Sequence, residues 1–296
     1  MTQQVSNTGN VTITDVRSPC SSLGRLLRYR AIVPKVAPGE RLPVLYLLHG
    51  ANSGAVDVQQ HGDIVKLAAS ERLIVVTPDA DYSYYTNAKH RRHARWEDAI
   101  ALDLPQDVES RFPALADREH RGVAGVSMGG YGAIKLALKH PELYGFAGTM
   151  SGPLDITRRP ASLVRFGQTW RIWTIFGLRR SERRNEDVFN LLDHSPGVKN
   201  VKWFASCGAK DPLFRSTPDS CVKCTPAEFG STASPLPATT IGKPGTQRCR
   251  CSSRPREKPC TDGLCFSNMA DPLHRQKPIK AFHAVTKSPI LAPLAH

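Results

Sequence analysis

Three runs of the chain are apolar almost from end to end and stop at Gly or Pro: "PVLYLLHG" (43–50), "RLIVVTPDA" (72–80) and "RGVAGV" running into "SMGG" (121–130). Runs of this kind suit central strands that are buried on both faces. The segments between and around them carry helical spacing. "DIVKLAAS" (63–70) is short. "WEDAIALDLPQDVESRF" (96–112) sets Ile100, Leu104 and Val108 in phase, with a kink expected at Pro105. "YGAIKLALKHP" is closed by Pro141. "RLLRYRAIVP" (25–34) alternates as a half-buried strand does, and "YGFAGTMSG" and "VKNVKWFASCG" add two more strands. Strands separated by helices predict an α/β fold with a mostly parallel central sheet covered on both faces.

From about Arg215 the pattern stops. That stretch holds 11 of the 23 prolines, 6 of the 8 cysteines and none of the 4 tryptophans, and it carries 12 Lys/Arg against 5 Asp/Glu. About half of the net charge of +14 therefore sits there. The division predicts a domain over residues 10–215 and an irregular or disordered tail over 216–296. Before the tail only Cys20 and Cys207 occur, too few for a disulfide framework. The opening "MTQQVSNTGN" is polar and no run approaches a membrane span, which gives the expectation of a cytoplasmic protein with no membrane partner.

The sharpest local signal is "GVSMG", Gly125 to Gly129, which fits G-x-S-x-G between a strand and a helix. That setting makes a nucleophile elbow, with Ser127 lifted above the strand ends and the helix dipole favouring negative charge there. The bland alternative is a Gly-rich turn with an incidental serine. The second signal, "LLHGANS" (47–53), ends a buried strand in a small-residue loop. In an α/β hydrolase such a loop lends one backbone N–H to the oxyanion hole and the residue after the nucleophile lends the other, which points to Ala51 and Met128. His49 is read as a strand-end histidine that fixes this loop, because a triad histidine comes last in chain order. The third signal is "CGAKDPLF", where Asp211 follows a strand end. It fits the order Ser, Asp, His, and its alternative is an ordinary Asp-Pro turn.

Several stretches together resemble the Putative esterase family, which includes esterase D, S-formylglutathione hydrolases, feruloyl and acetylxylan esterases and tributyrin esterases. They are "PVLYLLHG", "VVTPDADYSYYTNA", "RWEDAIALDLPQDVESRF", "GVSMGGYGAIKLALKHPELYGFAGTMSG", "SERRNEDVFNLL" and "CGAKDPLF". The resemblance implies an α/β-hydrolase fold and ester hydrolysis without metal or other cofactor. It implies a Ser–Asp–His triad with Ser127 as nucleophile and Asp211 as acid, and a small-molecule ester or thioester as partner. Such esterases carry the histidine in a G-x-H-x-W segment that follows the last strand. This chain has no histidine between His194 and His274.

The tail fits an out-of-frame reading of that missing segment. A one-base shift near Thr217 permits R-F-V-R-E-M-H-A-G-G-I-R-F-D over "PDSCVKCTPAEFGST", an amphipathic helix, a Gly stop and a strand start. Over "PATTIGKPGTQRC" it permits G-N-H-N-W-E-T-W-D-A-A-V, which contains G-x-H-x-W, the histidine codon straddling Thr239 and Thr240. The fold as written is then expected to lack its C-terminal strand and helix, and the serine its general base. His274, His283 and His296 are the local substitutes. Two other readings of the tail are weaker. Its cysteines do not form paired zinc knuckles, and its basic residues lack the aromatics of a nucleic-acid surface, so no nucleic-acid partner is expected.

Two clusters remain. "AKHRRHARWED" (88–98) and the eight arginines from Arg158 to Arg184 read as solvated loops, with an acidic substrate as the sharper alternative. The 155–187 insertion, with Trp170, Trp173 and Phe176, reads as a lid over an acyl pocket. The competing function is a non-catalytic binding protein on a hydrolase scaffold.

Overall fold

The computed structural model describes residues 3–55, 64–159 and 166–206. The expectations for Asp211 and for 216–296 lie outside the described residues. The eight strands are β1 (Gln3–Thr8), β2 (Val11–Cys20), β3 (Arg25–Pro34), β4 (Val44–Leu48), β5 (Ile74–Pro78), β6 (Arg121–Val126), β7 (Phe146–Met150) and β8 (Lys202–Ser206). They form one sheet in the order β1-β2-β3-β5-β4-β6-β7-β8. The first three pairings are antiparallel and those from β5 through β8 are parallel. Every residue of β4, β5, β6 and β7 is buried, as the continuous apolar runs require. The larger core, with Tyr46, Val76, Val123 and Ala147, and a second, with Leu45, Val75, Ala124 and Met150, take alternate residues of the same strands and so lie on opposite faces of the sheet.

The labelled helices are α1 (Ile64–Glu71), α2 (Leu104–Arg111), α3 (Met128–Lys139), α4 (Phe166–Phe176) and α5 (Val188–His194). Pro105 lies inside a continuous helical run, Trp96–Arg111, just after a local widening of the helix. A short turn, Trp96–Asp98, passes into a π-helical turn, Ala99–Asp103, in which the Leu104 N–H reaches back to the Ala99 carbonyl. That turn sets Pro105 into the first turn of α2, where its missing N–H needs no partner.

Neither β1 nor β2 was expected, and the sheet begins at Gln3 rather than near residue 10. β1 and β2 form a hairpin about Gly9, whose φ is 58°. β1 reads "QQVSNT" and has no apolar stripe because, as an edge strand, it is held by backbone pairing.

A buried ionic cluster fixes α3 against the chain around it. Lys135 is fully buried and its Nζ donates to the Tyr85 carbonyl at 2.6 Å, Thr86 Oγ1 at 2.9 Å and Glu97 Oε2 at 2.9 Å. Glu186 Oε2 lies 3.1 Å from the same Nζ. Lys139, one turn on, bridges Glu97 Oε1 at 2.7 Å and Glu186 Oε1 at 3.1 Å. Burial alone would raise the Glu97 carboxyl, but Lys135, His140 and Lys139 outweigh it and hold the group well below the usual carboxylate range. Burial would lower the Lys139 ammonium, and Glu186 and Glu97 reverse that direction. Asp187 caps α5 by accepting the Asn190 N–H at 2.8 Å and clamps Arg158 through both carboxylate oxygens.

Candidate active site

Ser127 stands between β6 and α3 with φ 51° and ψ −117°. An L residue rarely takes this conformation, and holding it costs on the order of 1–3 kcal/mol. The fold holds it from both sides. The Ser127 N–H donates to the Met150 carbonyl at 2.8 Å, and its carbonyl accepts from the Tyr131 N–H at 3.1 Å. The two glycines of the motif are steric requirements. A Cβ on Gly125 would sit 2.8 Å from the Leu48 carbonyl oxygen and closer still to the Gly129 backbone. A Cβ on Gly129 would meet the Leu48 carbonyl and lie 2.7 Å from the His49 carbonyl oxygen. The turn is therefore a strained elbow pressed onto the end of β4, which the picture of an incidental serine does not explain.

The Gly50–Ser53 loop lies beside it. A Cβ added to Gly50 would be 3.6 Å from Ser127 Cβ and 3.6 Å from Ser53 Oγ. Ala51 is half-buried within this loop, and Met128 opens α3, where the first N–H groups have no partner inside the helix. Ser127, Ala51 and Met128 are thus brought to one strand-end region. Asp211 lies outside the described residues. The strand that leads toward it, β8, pairs with β7, and its Ser206 carbonyl accepts the Ser151 N–H at 2.8 Å.

His49 is a loop anchor. It is buried, its Nε2 accepts the Ala80 N–H at 2.9 Å and its Nδ1 lies 2.7 Å from the Gly50 carbonyl oxygen. Those two contacts require a neutral ring carrying its proton on Nδ1. Cys20 is a free, buried cysteine whose surroundings disfavour the thiolate. Burial and then the hydrogen bond to Asp103 push its thiol up to about 12.

The sequence profile of the Putative esterase family matches residues 20–225. The chain belongs to this family. Among curated relatives, Esterase Rv1288 of Mycobacterium tuberculosis is 34% identical over 205 residues, covering 64% of this chain and 45% of that protein. The MPT51/MPB51 antigen of Mycobacterium bovis is 35% identical over 134 residues, 41% of this chain and 44% of that one. The chain thus spans less than half the length of these relatives. Two solved structures share the fold. An S-formylglutathione hydrolase from Agrobacterium tumefaciens superposes with a TM-score of 0.62 at 19% identity, covering 72% of this chain and 81% of its own. FphF, a fluorophosphonate-binding serine hydrolase of Staphylococcus aureus, gives 0.61 at 24%, covering 70% and 83%.

This esterase-family chain depends on side chains that motif reading passed over. Tyr131, one turn after Ser127, donates its hydroxyl to the Glu186 carbonyl at 2.5 Å, and Tyr85 donates to the His49 carbonyl at 2.9 Å. The signal was available, because Glu97 and Glu186 fall in "RWEDAIALDLPQDVESRF" and "SERRNEDVFNLL", two of the stretches that carry the family resemblance. The three aromatics expected in a lid behave differently from one another. Phe176 is buried against Tyr84 and Tyr131, with ring centroids 5.4 and 5.8 Å away. Trp173 is half-buried, and Trp170 is 55% exposed.

Proposed function

We propose that the chain is a carboxylic ester hydrolase that works through an acyl-enzyme on Ser127, with a small-molecule ester or thioester as substrate. The supporting observation is the strained elbow itself. It presents Ser127 at the N-terminus of a twelve-residue helix beside the Gly50–Ser53 loop. Ser127 Oγ attacks the ester carbonyl carbon and gives up its proton to a base. The oxyanion rests between the N–H groups of Ala51 and Met128. The tetrahedral intermediate collapses, the protonated alcohol leaves, and water then releases the acid from the serine. Asp211 would orient the imidazolium of a triad histidine; four residues separate it from Ser206, a short chain reach from the ends of β7 and β8.

The sequence supplies no histidine in a G-x-H-x-W setting. We therefore expect slow acylation, limited to the catalysis left by the oxyanion hole and binding, roughly 10³–10⁴ over water. Release of p-nitrophenol from p-nitrophenyl acetate and butyrate tests this, with Ser127→Ala as control. The expected result is a slow burst that the variant abolishes. Its rate climbs steadily with pH, without levelling off above the ordinary histidine value of about 6.5. A plateau above that value would mean that His274, His283 or His296 serves as base. Equal, negligible release from both proteins would favour the second reading, a binding protein on a hydrolase scaffold, which the missing motif itself supports.

A further inference from the structure

Exposed cations and exposed apolar side chains come together around the end of α4. Loop 88–93 exposes Lys89, His90, Arg91, Arg92 and His93. The loop is docked on the end of α4, its Lys89 N–H donating to the Ile175 carbonyl at 3.0 Å and its His90 N–H to the Thr174 carbonyl at 3.2 Å. His90 Nε2 also lies 3.9 Å from Glu182 Oε1. That contact draws the turn after α4, with exposed Leu178, Arg179 and Arg180, onto the same face. Over 88–95 and 166–184 the sequence has nine Lys/Arg and a single acid, Glu182; Arg183 is buried and Arg95 pairs with Asp98, which leaves seven. The Glu182 carboxylate is already engaged, accepting the Arg179 N–H at 2.8 Å.

Among these cations stand Leu178, 60% exposed, and Trp170, 55% exposed. Arg171, next to Trp170, lays its guanidinium over the Tyr82 ring at 5.2 Å. A solvated loop explains the cations and leaves the leucine and the indole unexplained. A nucleic acid or an acidic polysaccharide would engage the cations, and the indole could stack on a base, but Leu178 would stay in water. A lipid surface uses both sets, with apolar side chains and Trp at the headgroup boundary and Lys/Arg on the phosphates.

We propose that this face docks on an anionic phospholipid surface. Trp170 and Leu178 enter the headgroup–acyl boundary, and Arg91, Arg92, Arg179 and Arg180 meet lipid phosphates. This revises the expectation of no membrane partner, which rested on the absence of spanning runs; a peripheral face needs none. It does not depend on the esterase reading.

The test is co-sedimentation of the full chain with vesicles of phosphatidylcholine alone or with about one-third phosphatidylglycerol. Binding is expected only to the anionic vesicles and to weaken with salt. Each cation near the headgroups is worth about fivefold, so Arg91→Glu/Arg92→Glu/Arg179→Glu/Arg180→Glu should fall to the level on neutral vesicles. Trp170→Ser/Leu178→Ser should lose about tenfold or more. These side chains are exposed, and circular dichroism should match the parent chain. Three outcomes overturn the proposal: no preference for anionic vesicles, binding that survives charge reversal, or binding that the Trp170/Leu178 pair does not affect, which would mark a site for a soluble polyanion. Brominated phosphatidylglycerol gives a check without variants. Trp170 insertion predicts quenched tryptophan fluorescence, and unchanged fluorescence contradicts it.

Discussion

Lys135→Met will destabilise the folded chain by about 3–5 kcal/mol, the cost of leaving a buried charge without its partner. Methionine fills nearly the same space, so the loss is electrostatic. The Lys135 side chain is 0% exposed, and Glu97 and Glu186 around it are 5% and 4% exposed at theirs. Without the Lys135 ammonium, Lys139 is the one lysine left between two carboxylates, with the His140 ring 3.5 Å from Glu97, and the Tyr85 carbonyl and Thr86 Oγ1 lose a donor. The pH dependence follows from the Glu97 carboxyl, which is held below its ordinary value. A carboxyl depressed in the folded state contributes stability that is present above its unfolded value, about 4.3, and lost as pH falls toward the folded value. The gap between Lys135→Met and the parent chain should therefore narrow as pH falls through the carboxylate range, because acid removes the stranded Glu97 charge in the variant and breaks the ion pair in the parent. Adding Glu97→Gln should recover part of the loss, because it removes the stranded charge. Urea unfolding across the acid range measures all three. A Lys135→Met chain within about 1 kcal/mol of the parent, the size of an exposed pair, would contradict the buried network.

Gly129→Ala will cost about 3 kcal/mol or more and remove any reaction at Ser127. The added methyl group meets backbone, the carbonyls of Leu48 and His49, and no flexible side chain can turn away to make room. Relief requires α3 to move off the end of β4, which parts Met128 and Ser127 from the Gly50–Ser53 loop. Gly167→Ala is the control, since a Cβ there meets nothing within 4 Å. Thermal unfolding and p-nitrophenyl butyrate release should show a large loss in the first and parent-like values in the second. A parent-like Gly129→Ala would mean that the elbow is not pressed onto β4 as described.

Much of the parallel half of the sheet was legible because its strands are apolar on both faces, a pattern that no surface segment mimics. The elbow was legible because Gly125 and Gly129 are needed by contacts that their own local motif creates. β1 was not legible, since a polar edge strand is fixed by backbone pairing alone. The buried cluster was hidden for another reason. In "AIKLALK", Lys135 and Lys139 stand four apart, as on any solvated helix face, and Glu97 lies 38 residues from Lys135. Only the tertiary packing turns those charges inward. The π-helical turn before Pro105 has no sequence signature here and was not foreseen.

The central claim is that Ser127 is the nucleophile. Prolonged incubation with p-nitrophenyl butyrate, an acid quench and peptide mass mapping test it directly. The account predicts a butyryl group on the peptide bearing Ser127, absent from a folded Ser127→Ala chain. Butyrylation confined to lysines or other hydroxyls, and identical in the two proteins, would contradict it.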